Sequence, residues 1–196
     1  MLPRVQRMSM STDEQSLDGT TVGIFIAPAG TEEIEFTEPK QTVADAGATV
    51  DVLGSETGEA QSVNNDLEES ETYEVDKRFD EVSADDYDAL IVPGGTVGAD
   101  TLRLDEDAVS LLREHVEAGK RAGVICHGPW LLVEAGVVDG RTLTSYPSLQ
   151  TDIRNAGGEW IDAELVTDQG LVTSRNPDDL DAFCEGIVEA FAGGSA

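Results

Sequence analysis

A cysteine and a histidine stand side by side at the end of an apolar run. Cys126 directly follows residues 123–125, which we interpret as a buried strand, and His127 comes next. Glycine and proline at 128–129 then open a helix, because proline suits the first helical position. The backbone N–H groups at the start of that helix, and its dipole, favour a thiolate over a thiol. The pattern predicts a nucleophile elbow built on sulfur, with the neighbouring imidazole as proton acceptor.

The competing interpretation is that Cys126 is a packed core residue, as most buried cysteines are. A core strand rarely ends in Cys-His-Gly-Pro, so the reactive interpretation is favoured. The second cysteine, Cys184, lies among the apolar residues of the last predicted helix and is expected in the core. Neither the number nor the spacing of the cysteines suggests a disulfide framework or a zinc site. We therefore expect no metal and no cofactor.

Strands and helices alternate along the chain as a parallel sheet requires. Thr31 is expected to cap the first helix, and residues 54–70 to form a polar surface excursion. Such alternation is typical of an α/β fold, here a single doubly wound, flavodoxin-like three-layer sandwich with a mainly parallel sheet. The pattern predicts main strands at 21–27, 48–53, 89–92 and 123–125, short strands at 73–76 and 143–145, a hairpin at 164–173, and helices at 32–46, 106–118, from 129, at 149–156 and to 191.

The sites of such folds lie beyond the carboxyl ends of the strands, and three of these ends carry suggestive residues. Glu35 follows the first strand, and a carboxyl that faces a thiol is partly desolvated and can keep its proton. Its glutamate neighbours at 32–33 are as readily explained as surface acids at a helix N-terminus. The backbone N–H groups of Gly95 and His127 could together form an oxyanion hole. Asp100 follows the same glycine turn, where a solvated loop acid is the simpler interpretation.

The composition argues against several classes of function. The chain has 40 Asp and Glu against 12 Lys and Arg, and its formal net charge of −28 repels nucleic acid and anionic membranes. No apolar run approaches the ~18 residues of a membrane span, and the first residues lack the apolar core of a secretory signal. We expect a disordered leader at 1–19 (with Met8 or Met10 as alternative starts), one domain at 20–192 and a frayed end at 193–196. A reducing cytoplasm is the expected location.

The acidic residues are spread through segments with apolar patterning, as in a folded domain adapted to a high-salt cytoplasm. In molar salt the Debye length falls to about 3 Å, which screens the self-repulsion of the acidic surface. We therefore expect a much higher melting temperature in molar KCl than in dilute buffer. Equal melting temperatures in the two buffers would contradict salt adaptation.

Four motifs occur together, in one order, within residues 20–190. They are Val-Pro-Gly-Gly at 92–95, Gly-Val-Ile-Cys-His-Gly-Pro at 123–129, Thr-Ser-Tyr-Pro at 144–147 and Thr-Ser-Arg-Asn-Pro at 173–177. This set resembles the PfpI-type intracellular cysteine peptidase family. That family belongs to the superfamily of the parkinsonism-associated protein deglycase, which has a class I glutamine amidotransferase-like fold.

The resemblance implies roles for the candidate residues. Cys126 would be the nucleophile and His127 its base, with Glu35 as the carboxyl beside the thiol. Asp100 would complete the set from a neighbouring subunit, in a homodimer or a hexamer built as a trimer of dimers. Family members are assigned peptidase activity, glyoxalase-type hydration of methylglyoxal, deglycation of early glycated amines and stress protection. The peptidase, glyoxalase-type and deglycation reactions all begin with thiolate attack on a carbonyl, so the expected substrate is a small carbonyl compound or a peptide.

Two other functions compete with this interpretation. A class I glutamine amidotransferase has a similar elbow but needs a distant histidine near its C-terminus. The two histidines of this chain are His115, in a helix before the elbow, and His127, so that function is disfavoured. A redox sensor or chaperone-like protein would instead use Cys126 as an oxidisable thiol, with sulfinic acid as its product. The adjacent His127 favours an enzyme over such a sensor.

Overall fold

A computed structural model of the chain describes residues 16–193. Most of the expected leader, residues 1–15, and residues 194–196 of the expected frayed end lie outside this range. Leu17 is fully buried, and its N–H donates to the carbonyl of Ala46 at 2.8 Å. The folded part therefore includes residues 17–19, which were expected to belong to the leader.

The described residues form twelve strands and six α-helices. The strands are β1 (Thr21–Phe25), β2 (Ala29–Glu32), β3 (Thr49–Gly54), β4 (Gly58–Asn64), β5 (Glu68–Val75), β6 (Lys77–Arg78), β7 (Ala89–Val92), β8 (Arg121–Ile125), β9 (Thr142–Leu143), β10 (Glu159–Trp160), β11 (Val166–Asp168) and β12 (Leu171–Ser174). The α-helices are α1 (Glu33–Asp45), α2 (Thr96–Leu102), α3 (Glu106–Glu117), α4 (Pro129–Ala135), α5 (Gln150–Asn155) and α6 (Leu180–Ala192).

The centre of the fold is a seven-stranded sheet in the order β11-β12-β8-β7-β1-β3-β6. Neighbours pair in parallel except at one edge, where β11 and β12 are antiparallel. All four residues of β7 are buried, because helices cover both faces of a parallel sheet. One apolar layer packs α1 and α6 on the sheet through Phe36 and Phe183, and the other packs α3 and α4 through Leu112 and Leu131. The predicted doubly wound three-layer sandwich is confirmed.

The polar segment at 54–70 is not a surface excursion, and this prediction was wrong. β4 and β5 form an antiparallel hairpin, here called the β4–β5 hairpin (residues 58–75), and β2 pairs in parallel with β4. Asn65 and Asp66 make its turn in left-handed conformations, with φ of 51° and 64°, which these two residue types tolerate. Much of β5 is exposed and rich in glutamate, a poor strand former, so its sequence lacks the usual signal of a strand.

Two predictions about local structure near the site are also corrected. Thr31 does not cap α1; it lies in β2, and its hydroxyl accepts the N–H of Ala27 at 3.0 Å. α1 begins after Glu32 without a side-chain cap. The segment after Gly95 is a short helix, α2, whose threonine, valine and glycine residues are weak helix formers that hid it in the sequence. Among the described residues, no helix is both long and apolar enough to cross a bilayer.

His115 of α3 is a fully buried histidine outside the candidate active site. Its Nε2 lies 2.9 Å from the carbonyl oxygen of Arg121, at the start of β8. Burial lowers its pKa from 6.5 to about 4. His115 therefore stays neutral in the folded protein at pH values where the unfolded chain binds a proton.

This difference predicts a loss of stability in mild acid. At about 1.4 kcal/mol per pH unit, the free energy of unfolding should fall by roughly 3 kcal/mol as pH drops from 6.5 through 4. The loss begins at the unfolded pKa and levels off below the folded one. His115→Gln keeps a side-chain donor but cannot titrate, so its unfolding free energy should change less over this range in urea titrations. Parallel pH curves for the two proteins would contradict the assignment.

Candidate active site

Cys126 lies in a sharp turn between β8 and α4. Its φ of 61° is left-handed, a strained conformation that non-glycine residues adopt when their surroundings enforce it. Two hydrogen bonds hold it: its N–H donates to the carbonyl of Ser174 at 3.1 Å, and its carbonyl accepts the N–H of Tyr146 at 2.8 Å. Proline occupies the first position of α4, and Gly136 ends that helix at φ 72°. The strand, turn and helix predicted for the elbow are all present.

Glu35 reaches the thiol from the first turn of α1. It is fully buried, and its Oε2 accepts the N–H of Gly94 at 2.8 Å. Burial raises the pKa of Glu35 to about 8, although hydrogen bonds from Cys126 and from the Gly94 N–H oppose the rise. Glu35 therefore keeps its proton near neutral pH and can donate a hydrogen bond to sulfur.

The Cys126 thiol does not have the lowered pKa expected from the start of a helix. Only 6% of the residue is exposed, and burial together with the charge and hydrogen bond of Glu35 raises the pKa of the thiol. The backbone N–H groups of Gly95 and His127 act in the opposite direction. Because the repulsion from Glu35 requires an ionised carboxylate, the thiolate is best tolerated when Glu35 carries a proton.

His127 faces the sulfur with one ring nitrogen. Its Nδ1 lies 3.2 Å from Cys126 Sγ, within the range of a hydrogen bond to sulfur. Its Nε2 lies 3.3 Å from Thr96 Oγ1 and 3.5 Å from Ser148 Oγ. Burial lowers the pKa of His127, and the charge of Asp66 raises it. A neutral imidazole in this place can accept the thiol proton.

Two aromatic side chains fix the plane of the imidazole. The ring of Tyr146 stacks on His127 with 4.6 Å between centroids, and Trp130 meets it edge-on at 5.2 Å. Tyr146 and Ser148 belong to or follow the Thr-Ser-Tyr-Pro motif, which the sequence had marked without a role. Asp66 and Thr96 carried no such signal, since Asp66 reaches the site through the turn of the β4–β5 hairpin and Thr96 through α2, and neither element was predicted.

The glycine turn after β7 passes directly beside the cysteine. A Cβ atom on Gly94 would lie 2.6 Å from Glu35 Oε2 and 2.7 Å from Cys126 Cβ, so only glycine fits. Gly95 has a φ of 89°, again a glycine conformation. Its N–H and that of His127 both lower the pKa of the Cys126 thiol, as backbone donors beside a sulfur do.

The structure does not bring Asp100 to His127 within one chain. Asp100 lies in α2 with 61% of its side chain exposed, and its Oδ1 pairs with Arg103 Nε at 3.3 Å. The predicted group of Cys126, His127, Glu35 and the Gly95 N–H is assembled, and Asp100 remains at the surface. In the described part of the chain, no cluster of three or more His, Cys, Asp or Glu could hold a metal ion.

Comparisons with known proteins match nearly the whole described fold. A model described as the DJ-1/PfpI family matches residues 20–190. A deglycase of Thermococcus kodakarensis is 38% identical over 166 residues, which cover 85% of this chain and 96% of that protein. Protein/nucleic acid deglycase 2 of Escherichia coli is 42% identical over 153 residues, 78% of this chain and 87% of that one. The crystal structure of Drosophila melanogaster DJ-1beta aligns with a TM-score of 0.79 at 30% identity, covering 89% and 91% of the two chains.

Proposed function

The chain belongs to the DJ-1/PfpI family, and from this membership we propose that it is a cysteine-dependent deglycase acting on small carbonyl adducts. The observation that carries the proposal is the contact of 3.2 Å between Cys126 Sγ and His127 Nδ1, in a buried elbow beside a carboxyl that keeps its proton. Relatives named deglycases support the reaction class. We place the enzyme in a reducing cytoplasm, since its nucleophile must stay a thiol.

The geometry supports a short sequence of steps. His127 Nδ1 accepts the proton of the thiol while Glu35 donates a hydrogen bond to the forming thiolate. The sulfur electron pair forms a bond to the carbonyl carbon, and the π pair of the carbonyl moves onto its oxygen. That oxygen lies before the N–H groups of Gly95 and His127. The imidazolium then returns its proton to this oxygen, which gives a hemithioacetal. Transfer of the hydrogen on this carbon to the neighbouring carbonyl carbon, by way of an enediol, gives a thioester, and water then cleaves the C–S bond to release a hydroxy acid and the free thiol. When the substrate is an aminocarbinol adduct, its C–N bond first breaks as the hydroxyl proton passes to the amine, which leaves and regenerates the carbonyl.

Burial and charge narrow the substrate class. With 6% of Cys126 exposed, a small carbonyl compound or an early adduct on a side chain fits better than an extended peptide. The name of the E. coli relative includes nucleic acid as a substrate, but a net charge of −28 opposes the approach of a polyanion. We therefore propose methylglyoxal-derived adducts of amino acids and proteins as the principal substrates, with hydration of free methylglyoxal as a related activity.

Assays of the wild type and Cys126→Ala test this function. Turnover of early glycated amino acids and of methylglyoxal should fall at least about a thousandfold in Cys126→Ala, because the covalent step is lost. Cys184→Ala removes the other, half-buried cysteine and should leave turnover unchanged. Fluorogenic peptides should be poor substrates of all three proteins. If no substrate shows Cys126-dependent turnover while peroxide converts Cys126 to sulfinic acid, the redox-sensor function replaces the enzyme.

The exposure of Asp100 supports an active site shared between subunits. Its carboxylate pairs with Arg103 at the surface of α2, where it stays exposed enough for a second copy to reach it with His127. We propose that the enzyme is a homodimer, or a hexamer built as a trimer of dimers, in which Asp100 of one subunit assists its neighbour. Mixing Cys126→Ala with Asp100→Asn subunits should then restore turnover, because one site of each mixed dimer is intact. Additive residual activities without restoration would contradict sharing.

A further inference from the structure

The β4–β5 hairpin reaches the active site through its turn. The backbone N–H groups of Asn65 and Asp66 donate to the two carboxylate oxygens of Glu32, at 2.9 and 3.0 Å. Only 8% of Glu32 is exposed, and it directly precedes α1, the helix that carries Glu35. The turn is therefore attached to the same part of the fold that positions the catalytic carboxyl.

From this fixed turn, two contacts lead to the histidine. Asp66 Oδ1 accepts the N–H of Thr96 at 2.7 Å, and so holds the first residue of α2. This bond also fixes the peptide between Gly95 and Thr96. The N–H of Gly95 itself lowers the pKa of the Cys126 thiol. The hydroxyl of Thr96 then lies 3.3 Å from His127 Nε2. Asp66 is far from Cys126 in sequence, yet only two contacts, both through Thr96, connect it to His127.

We propose that Asp66 and Thr96 are positioning residues that hold His127 in the tautomer with hydrogen on Nε2. In this tautomer Nε2–H donates to Thr96 Oγ1, and Nδ1 presents its lone pair to the Cys126 thiol. The other tautomer would direct an N–H at the thiol and could not accept its proton. The role in turnover rests on the proposed function, whereas the tautomer is a property of the protein alone.

Two other groups compete for Nε2. Ser148 Oγ lies on the same side of the ring at the longer distance of 3.5 Å, in an exposed segment. Asp100 of a second copy, if it reaches the site, would also accept a hydrogen bond from this nitrogen. Thr96 differs from both because Asp66 fixes its backbone within the same chain. Substitutions of the three groups therefore have different expected effects on the His127 tautomer.

Nitrogen NMR of the imidazoles tests the proposal without a substrate. The chain has two histidines, so the His127 signals are identified by comparison with His115→Gln. At neutral pH the wild type should show a protonated Nε2 and an unprotonated Nδ1. Thr96→Val removes the hydroxyl at nearly constant shape and should yield a tautomer mixture, whereas Thr96→Ser should preserve the wild-type state. Alkylation of Cys126 by iodoacetamide should slow about tenfold in Thr96→Val only, the effect of one lost hydrogen bond.

The contribution of Asp66 has a matched control at the neighbouring position. Asp66→Gly keeps the left-handed turn, removes the carboxylate and should shift the tautomer as Thr96→Val does. Asn65→Gly makes a comparable change at the other left-handed residue and should leave the tautomer unaltered. An unchanged tautomer in Thr96→Val, or an equal shift in Asn65→Gly, would overturn the proposal. A shift produced by Asp100→Asn and not by Thr96→Val would assign Nε2 to the partner carboxylate instead.

Discussion

Glu35→Gln should raise the free energy of unfolding by about 3 kcal/mol at pH 7, even though it alters a buried residue of the active site. The pKa of Glu35 lies at about 8 in the folded protein against 4.5 in the unfolded chain. The folded state therefore holds this proton more tightly, and its contribution to stability is fully present below pH 4.5. The contribution is lost as pH rises through 8, by roughly 5 kcal/mol in all. Glutamine is neutral at every pH and escapes this loss.

Urea titrations of the wild type and Glu35→Gln at pH 5, 7 and 9 measure the effect. The difference in unfolding free energy should be about 1 kcal/mol at pH 5 and grow towards pH 9, because only the wild type must bury a carboxylate. Glu38→Gln removes an exposed acid from the same helix and provides the control. A difference between wild type and Glu35→Gln that does not vary with pH would show that Glu35 is not a destabilised buried acid.

Two features of the site lower the stability of the fold. A buried carboxyl with a raised pKa destabilises the fold, and a left-handed cysteine adds strain next to it. The protonated carboxyl offers a neutral hydrogen-bond donor to a sulfur that otherwise resists ionisation, and the left-handed turn brings that sulfur to it. Stability sacrificed at a functional site in this way is common in enzymes. The increase of about 3 kcal/mol in unfolding free energy expected for Glu35→Gln at pH 7 measures the stability lost through the buried carboxyl.

The sequence predicts those parts of the site that are formed by local chain structure. β7 and β8 are continuous apolar runs because helices bury both faces of the sheet, and the elbow residues follow β8 directly. Glu35 could be placed near Cys126 because parallel strands deliver their carboxyl ends to one edge. Each of these inferences needs only neighbouring residues and a known topology.

The parts that were missed depend on contacts between distant segments. The β4–β5 hairpin is polar and half-exposed, so its strands lack apolar alternation. Its turn contacts α2 through a hydrogen bond between residues that are distant in sequence. Thr96 therefore could not be linked to His127 from the sequence. Asp100 needs still more information, since its proposed role requires a second subunit. The raised pKa of Cys126 reflects its near-complete burial beside Glu35, which outweighs the helix N-terminus used in the prediction.

Gly95→Ala should have the other large effect, a destabilisation of roughly 4 kcal/mol together with loss of activity. Gly95 has a φ of 89°, and an added Cβ would collide with the carbonyl oxygen of Gly30 and lie 2.6 Å from the N of Glu32. Both neighbours are backbone atoms at β2, so neither can rotate away. At φ 89° and ψ 124°, backbone strain costs alanine about 1–3 kcal/mol, and overpacking adds about 1–3 kcal/mol. The variant must separate α2 from β2 to relieve the clash.

That separation also moves the donors that face the sulfur. The Gly95 N–H is one of two proposed oxyanion donors, and loss of such a donor typically reduces turnover by about a hundredfold or more. Gly140→Ala is the matched control: φ there is 73°, but nothing lies within 4 Å of the added Cβ. It should cost only the backbone strain, about 1 kcal/mol, and leave turnover unchanged. If Gly95→Ala were no less stable than Gly140→Ala, close packing of α2 on β2 would be excluded as the reason for glycine. If it lost stability yet kept full turnover, the Gly95 N–H would be excluded as an oxyanion donor, while the sulfur–imidazole pair would stand.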